Sequence, residues 1–157
     1  MKRRKIFKTI IILGVAGIII GGGIGLYMFN MPHRDIQNAD TDFSLIASDI
    51  VSEYLTDAAA ANKKYLAADG NSKILEITGE ISEIYDNYNG QKVVLIKDDM
   101  DKAGVSATFT PETNNNLKEV EIGQTITIKG VIRSGASYDE DLELYENVTI
   151  DKSDIVN

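Results

Sequence analysis

The chain has 157 residues, room for one ordinary domain and not two. At 43% apolar and 25% charged it has a globular composition, which excludes wholesale disorder. With no cysteine it has no disulfide, lipid-modified cysteine, thiol nucleophile or cysteine-held metal, and its one histidine excludes a three-histidine zinc site. The net charge of −8 is uneven: six of the sixteen basic residues precede Asp35, where there is no acid, and the rest carries 10 basic against 24 acidic side chains, a net of −14.

Residues 1–8 form a basic tail, Lys2-Arg3-Arg4-Lys5 with Lys8, ahead of an uncharged run of 21 residues from Thr9 to Phe29. At the helical rise that run is about 31 Å long, matching a bilayer's hydrocarbon core. The excess of positive charge before it predicts a single-pass transmembrane helix over 9–29, amino terminus in the cytoplasm and acidic domain outside, in the periplasm. A cleaved signal peptide is the rival reading. The apolar run is longer than the roughly 7–15 residues usual for one, and no Ala-x-Ala site follows. Gly17, Gly21 and Gly25 recur every fourth position on one helix face, a pattern that permits close approach of a second copy and hence a homodimer.

Residues 30–39 have no periodicity, and Pro32 stops the preceding helix, so they read as a linker before a domain over 40–157. Asp40-Thr41-Asp42 offers capping oxygens, and Phe43, Ile46, Ile50, Tyr54, Ala58, Ala61 and Tyr65 follow at spacings of three and four. One amphipathic helix over 41–65 is expected. Beyond Gly70 the period becomes two. Leu75, Ile77, Gly79 and Ile81 define a first strand, and Ile84 falls out of register by one, which predicts a bulge near Ser82-Glu83. Asn89-Gly90 marks a hairpin into Val93-Val94-Leu95-Ile96. Val105, Ala107 and Phe109 form a third strand that stops at Pro111, and residues 112–121 suit a short helical turn. A fourth strand covers 125–132. After a loop from Ser134 to Asp141, the fifth holds Leu142, Leu144, Val148 and Ile150.

Five strands, a small element between the third and fourth, and glycines at 79 and 130 for sharp bending predict a fold class: all-β with a flanking helix, a five-stranded OB-fold barrel. The segments Ala61–Tyr65, Leu75–Ile81, Val105–Phe109 and Gly123–Gly130 resemble the tRNA-anticodon-like family of small bacterial OB-fold proteins, over roughly residues 45–150. The resemblance implies the barrel and an exported protein, and it brings no catalytic set. Where that family often has Asn-Glu in the helix and cysteines in strands three and five, this chain has Asp57-Ala58, Ala107 and Val148, so no role is carried over.

OB domains bind single-stranded nucleic acid with a basic groove and stacking aromatics, and a net of −14 opposes that, so no nucleic-acid partner is expected. The connections flanking the usual ligand face carry Tyr85 and Tyr88 on one side and Tyr138 on the other, candidates for stacking on a small molecule or cell-envelope saccharide. Asp98, Asp99 and Asp101 faintly suggest a calcium loop but lack the later oxygen ligands, and the Asn147-Val148-Thr149 sequon falls in a predicted strand. A membrane-tethered OB protein of cytochrome maturation carries haem on a histidine, but the one histidine here, His33, lies in the linker outside the barrel. No nucleophile–base pair or phosphate loop is visible. The paired acids Asp139 and Asp141 are the nearest approach to catalytic groups, and no enzyme, metal or cofactor is expected. The reading is a membrane-anchored extracytoplasmic interaction module for an envelope protein or polymer, with a barrel that binds a small molecule or cell-envelope saccharide through Tyr85, Tyr88 and Tyr138 as the alternative.

Overall fold

The computed structural model describes residues 35–156 and, ahead of them, residues 14, 17, 18 and 20–26. The latter are helical, and Gly17, Gly21 and Gly25 each have open space beside them. Among the described residues no helix is long and apolar enough to cross a membrane. The predicted span over 9–29 lies in large part outside them, as do the basic tail and His33.

The second compact unit begins at Asp35. Its strands are β1 (Phe43–Ile46), β2 (Ile74–Asp86), β3 (Lys92–Ile96), β4 (Val105–Phe109), β5 (Thr125–Ser134), β6 (Ser137–Asp139), β7 (Leu144–Glu146) and β8 (Val148–Ile155), with helices α1 (Ala47–Thr56) and α2 (Ala58–Tyr65) and a 3-10 turn Thr113–Leu117. The main sheet runs β1-β2-β3-β4-β8-β5, and β5 pairs back onto β2. Five strands therefore close into a barrel, with β1 added in parallel on β2. The register of β2 shifts between Ile81 and Glu83, at the expected bulge, and there β2 leaves β5 and takes up β3. Gly79 is a close-approach site. A Cβ there would lie 2.4 Å from Ile96 Cγ2 and 3.2 Å from Ala47 Cβ, so the glycine admits the start of α1 against the barrel.

Three predicted elements are corrected. The segment Phe43–Ile46 is strand, not the first turn of a helix. Asp42 does not cap: its carboxylate accepts from Ile74 N at 2.8 Å and Lys73 Nζ at 2.9 Å, and its own N–H donates to Ile74 O, so it starts a strand pairing. The helix also breaks at Asp57, which ends α1 through its N–H to Glu53 O and begins α2 by accepting Ala60 N at 3.0 Å. Finally, residues 134–146 are not a plain loop running into strand five. β6 and β7 form a separate antiparallel ribbon, Tyr138 facing Tyr145, which takes Leu142 and Leu144 out of the barrel strand and leaves them exposed.

Residues 35–39, expected in the linker, are part of the fold. Ile36 is 4% exposed and packs on Ile74 and Val131, on the side of the β2–β5 pair away from the main core. The main core joins barrel residues such as Ile77, Val94, Phe109 and Ile150 to Ile50, Tyr54 and Tyr65 of the helix pair. At α1–α2, Glu53 accepts from Lys64 Nζ and from Tyr65 Oη, each at 2.9 Å, while the Lys64 ammonium lies over the Phe43 and Tyr65 rings. The Lys64 hydrogen bond, then that from Tyr65, holds the Glu53 carboxyl below its usual range despite partial burial. A depressed carboxylate stabilises the fold above its unfolded value and loses that contribution as pH falls through the folded one. Glu53→Gln is therefore expected to be less stable than the parent at pH 7 and to converge with it toward pH 3. Urea denaturation followed across that range reads the gap, and a constant gap would refute the assignment.

Candidate functional site

The strand register defines the outer face of β3–β4. Ile84, Val94 and Ala107 point into the core, so their neighbours point out: one row is Tyr85, Val93 and Thr108, the next Glu83, Leu95 and Ser106. The face carries no cationic side chain in these rows. The turn after β2 closes it at one end. Asn87 Oδ1 accepts from Asn89 N and Gln91 N, Gly90 takes φ +72, and Asn114 ties the turn to the 3-10 segment through Lys92 N and Gly90 O. A turn so braced holds Tyr88 fully in solvent, with Tyr85 half-exposed beside it.

Tyr138 sits at the other end. β3 runs away from the turn, and the connection after it carries Lys102, whose ammonium lies 5.4 Å from the Tyr145 ring centre. Tyr145 is the cross-strand neighbour of Tyr138, ring centres 4.8 Å apart. Five strand residues separate the two ends, roughly 15 Å along the strand. The structure thus places Tyr85 with Tyr88 and, apart from them, Tyr138 with Tyr145.

Behind the ribbon lies a cavity of about 350 Å³ lined by Tyr54, Leu55, Ala58, Lys102, Ala136, Ser137, Tyr138 and Tyr145. Tyr54 also lines a neighbouring cavity of about 300 Å³ with Asn62, Arg133 and Glu146. A broader concavity of about 530 Å³ runs along α1 and α2, past Asp49, Glu53, Asp57 and Lys64. Its Glu53 and Asp57 carboxylates are held within the helix pair. Tyr54, Tyr145 and Lys102 were not legible as site residues. Tyr54 sits on the apolar helix face, and the Tyr138/Tyr145 pairing shows in sequence only if 137–139 and 144–146 are read as two short strands about an acidic turn.

The remaining candidates have local roles. Asp139 Oδ1 accepts from Asp141 N and Leu142 N, each at 2.9 Å, and shapes the ribbon turn. Asp101 accepts from Ser48 Oγ at 2.6 Å and Asp98 from Met100 N, so these acids brace the β3–β4 connection. Among the described residues no group of three or more acids or histidines is placed to hold a metal ion. The sequon residue Asn147 accepts from Gly104 N at 2.8 Å, where β4 and β8 begin side by side.

A closed five-stranded barrel of order β2-β3-β4-β8-β5, with a parallel β4–β8 pair and a 3-10 plug before β5, defines an OB fold. The chain belongs to the tRNA_anti-like family, whose profile matches residues 1–141. Among solved structures it is similar to a lipoprotein of Klebsiella pneumoniae subsp. pneumoniae whose name proposes nucleic-acid binding, at 16% identity and TM-score 0.53, covering 81% of this chain and 100% of that one. That likeness concerns the fold alone. A weaker match is RecG bound to a three-way DNA junction, at 12% identity and TM-score 0.32 over 82% of this chain and 20% of RecG. No curated protein matches the chain.

Proposed function

We propose that the protein is a membrane-anchored, extracytoplasmic binding module that holds a partner against its OB barrel and catalyses nothing. The carrying observation is the outer face of β3–β4, whose rows through Val93 and Leu95 hold no cationic side chain, with Tyr85 and Tyr88 exposed at the turn end and Tyr138 exposed on the ribbon. The uncharged run over 9–29 and its basic flank support the anchor, with the amino terminus inside and the barrel in the periplasm. Gly17, Gly21 and Gly25 would allow two such helices to approach closely. The Klebsiella neighbour is named a lipoprotein; this chain, without cysteine, would need its apolar segment for the same attachment. Protease added to intact spheroplasts is expected to degrade the barrel, and protection until lysis would refute the placement.

Nucleic acid, which the neighbour's name suggests for that protein, is not the ligand proposed here. Phosphate neutralisation supplies most single-strand affinity, and the segment from Asp35 has a net charge of −14 from 10 basic and 24 acidic side chains. Labelled oligothymidine at low salt is expected to show no anisotropy rise below about 100 µM, the weak end of ordinary non-specific binding. Tighter binding that weakens steadily with salt would overturn this.

A further inference from the structure

The loop tyrosines are not the strongest sign of a ligand. That sign is Tyr54, 3% exposed, whose hydroxyl is buried with no hydrogen-bond partner among the described residues. Such a group has lost its water without gaining a hydrogen bond in return. Its neighbour Tyr65, stacked with it at 6.1 Å between ring centres, has Glu53 as acceptor. Burial pushes the Tyr54 phenol up to about 12, so it stays protonated and able to donate at neutral pH.

Tyr54 lines both cavities behind the ribbon, of about 350 and 300 Å³. Each lies at the small end of the roughly 300–1,000 Å³ usual for ligand pockets, a size for one or two rings rather than a polymer or helix. The larger cavity is lined mainly by apolar and aromatic side chains, among them Leu55, Ala58, Ala136 and Tyr138, and the smaller one is more polar, with Asn62, Arg133 and Glu146. The charges around them oppose both kinds of ion. Asp139, Glu140, Asp141, Glu143 and Glu146 on the ribbon repel an anion, and the Lys102 ammonium on the Tyr145 ring repels a cation. Arg133 is already paired with Asp151 at 3.2 Å.

We propose that the cleft between the helix pair and the β6–β7 ribbon binds a neutral saccharide, whose ring packs on Tyr138 and whose hydroxyl or ring oxygen becomes the missing partner of Tyr54 when the ribbon shifts to open that hydroxyl, which is closed to a water-sized atom in this structure. This rests on the reading of the barrel as a binding module and names its ligand class. A sugar suits the site because it brings oxygens that both donate and accept, as the Tyr54 hydroxyl does, and an apolar ring face for a tyrosine.

The test uses the full chain in lipid nanodiscs, titrated calorimetrically with chitobiose and with maltose. At least one is expected to bind. Tyr54→Phe, which removes the hydroxyl and keeps the ring, is expected to weaken that binding about tenfold without lowering thermal stability. Tyr138→Ala, at an exposed position, is expected to weaken it similarly. Equal affinity in the parent and Tyr54→Phe overturns the proposal. If binding instead disappears on joint Tyr85→Ala and Tyr88→Ala substitution and survives Tyr54→Phe, the cleft is refuted while the binding-module reading stands. No binding of either disaccharide refutes the cleft, and the module's placement is judged separately by the spheroplast result.

Discussion

Gly135→Ala is expected to lower the unfolding free energy by about 2–3 kcal/mol, in the upper range for overpacking a rigid core. A Cβ at position 135 would lie 1.9 Å from Tyr54 Cε1 and 2.0 Å from Cδ1, inside the ring's own space. Neither partner can yield cheaply. Tyr54 is 3% exposed and packed in the main core, and Ala136, the next residue, is 1% exposed. Ser134, on the other side, is the last residue of β5. Urea denaturation of the barrel unit provides the measurement, and a double-mutant cycle identifies the cause. On a Tyr54→Ala background the Gly135→Ala change is expected to cost almost nothing further, a coupling of about 2 kcal/mol. Equal costs on both backgrounds would show that the glycine serves some other need.

Ile36→Ala carries the second large effect, a loss of about 2–3 kcal/mol, within the usual range for truncating a buried isoleucine. Ile36 covers Ile74, 0% exposed, and Val131, 2% exposed, from outside the main core. The cover is pinned just after Ile36. Gln37 Nε2 donates to Lys152 O at 2.6 Å, where Lys152 takes φ +53, and Lys129 Nζ donates to Gln37 O and Ala39 O at 3.1 and 2.6 Å. Ile122→Ala, at a position 63% exposed, is the control and should move stability by less than about 0.5 kcal/mol. Equal effects of the two substitutions would mean that residues 35–39 are tether and not fold.

These contacts also show what the residues alone disclose. The barrel strands were legible because each has a buried and a less buried side, so alternation at 75–81, 105–109 and 125–132 survives in the sequence. The bulge at Ser82-Glu83 was legible as a phase slip, and the hairpin as Asn89-Gly90. Phe43–Ile46 was not, because Phe43 and Ile46 match helical spacing as well as the following residues do. What decides it is Asp42 bonding to Ile74, 32 positions away, a contact no local pattern contains. Asp57 hides similarly: the apolar spacing continues from Tyr54 to Ala58 across the break, while the side chain caps a new helix. Ile36 is a lone apolar residue in a polar stretch and has no period to betray it. At the candidate site, exposure of the loop tyrosines could be read from the loops. The unsatisfied hydroxyl of Tyr54 could not, since a tyrosine on an apolar helix face looks like any other core residue.

The barrel's seam has a consequence for how the molecule is made. β8 pairs with β4 in parallel and with β5 antiparallel, and it is the last strand in the order of synthesis. Until residues 148–155 have emerged, β4 and β5 have no common neighbour and the cylinder stays open along two apolar edges. Nascent chain of this kind can form the β2–β3–β4 meander locally, but it gains the cooperativity of a closed barrel only after the final strand arrives. A chain held by the proposed anchor, its amino terminus kept inside, would therefore close its barrel only after residues 148–155 have crossed. In the interval the exposed strands, rich in isoleucine and valine, are the stage at which aggregation competes with closure, and a holding chaperone would act there.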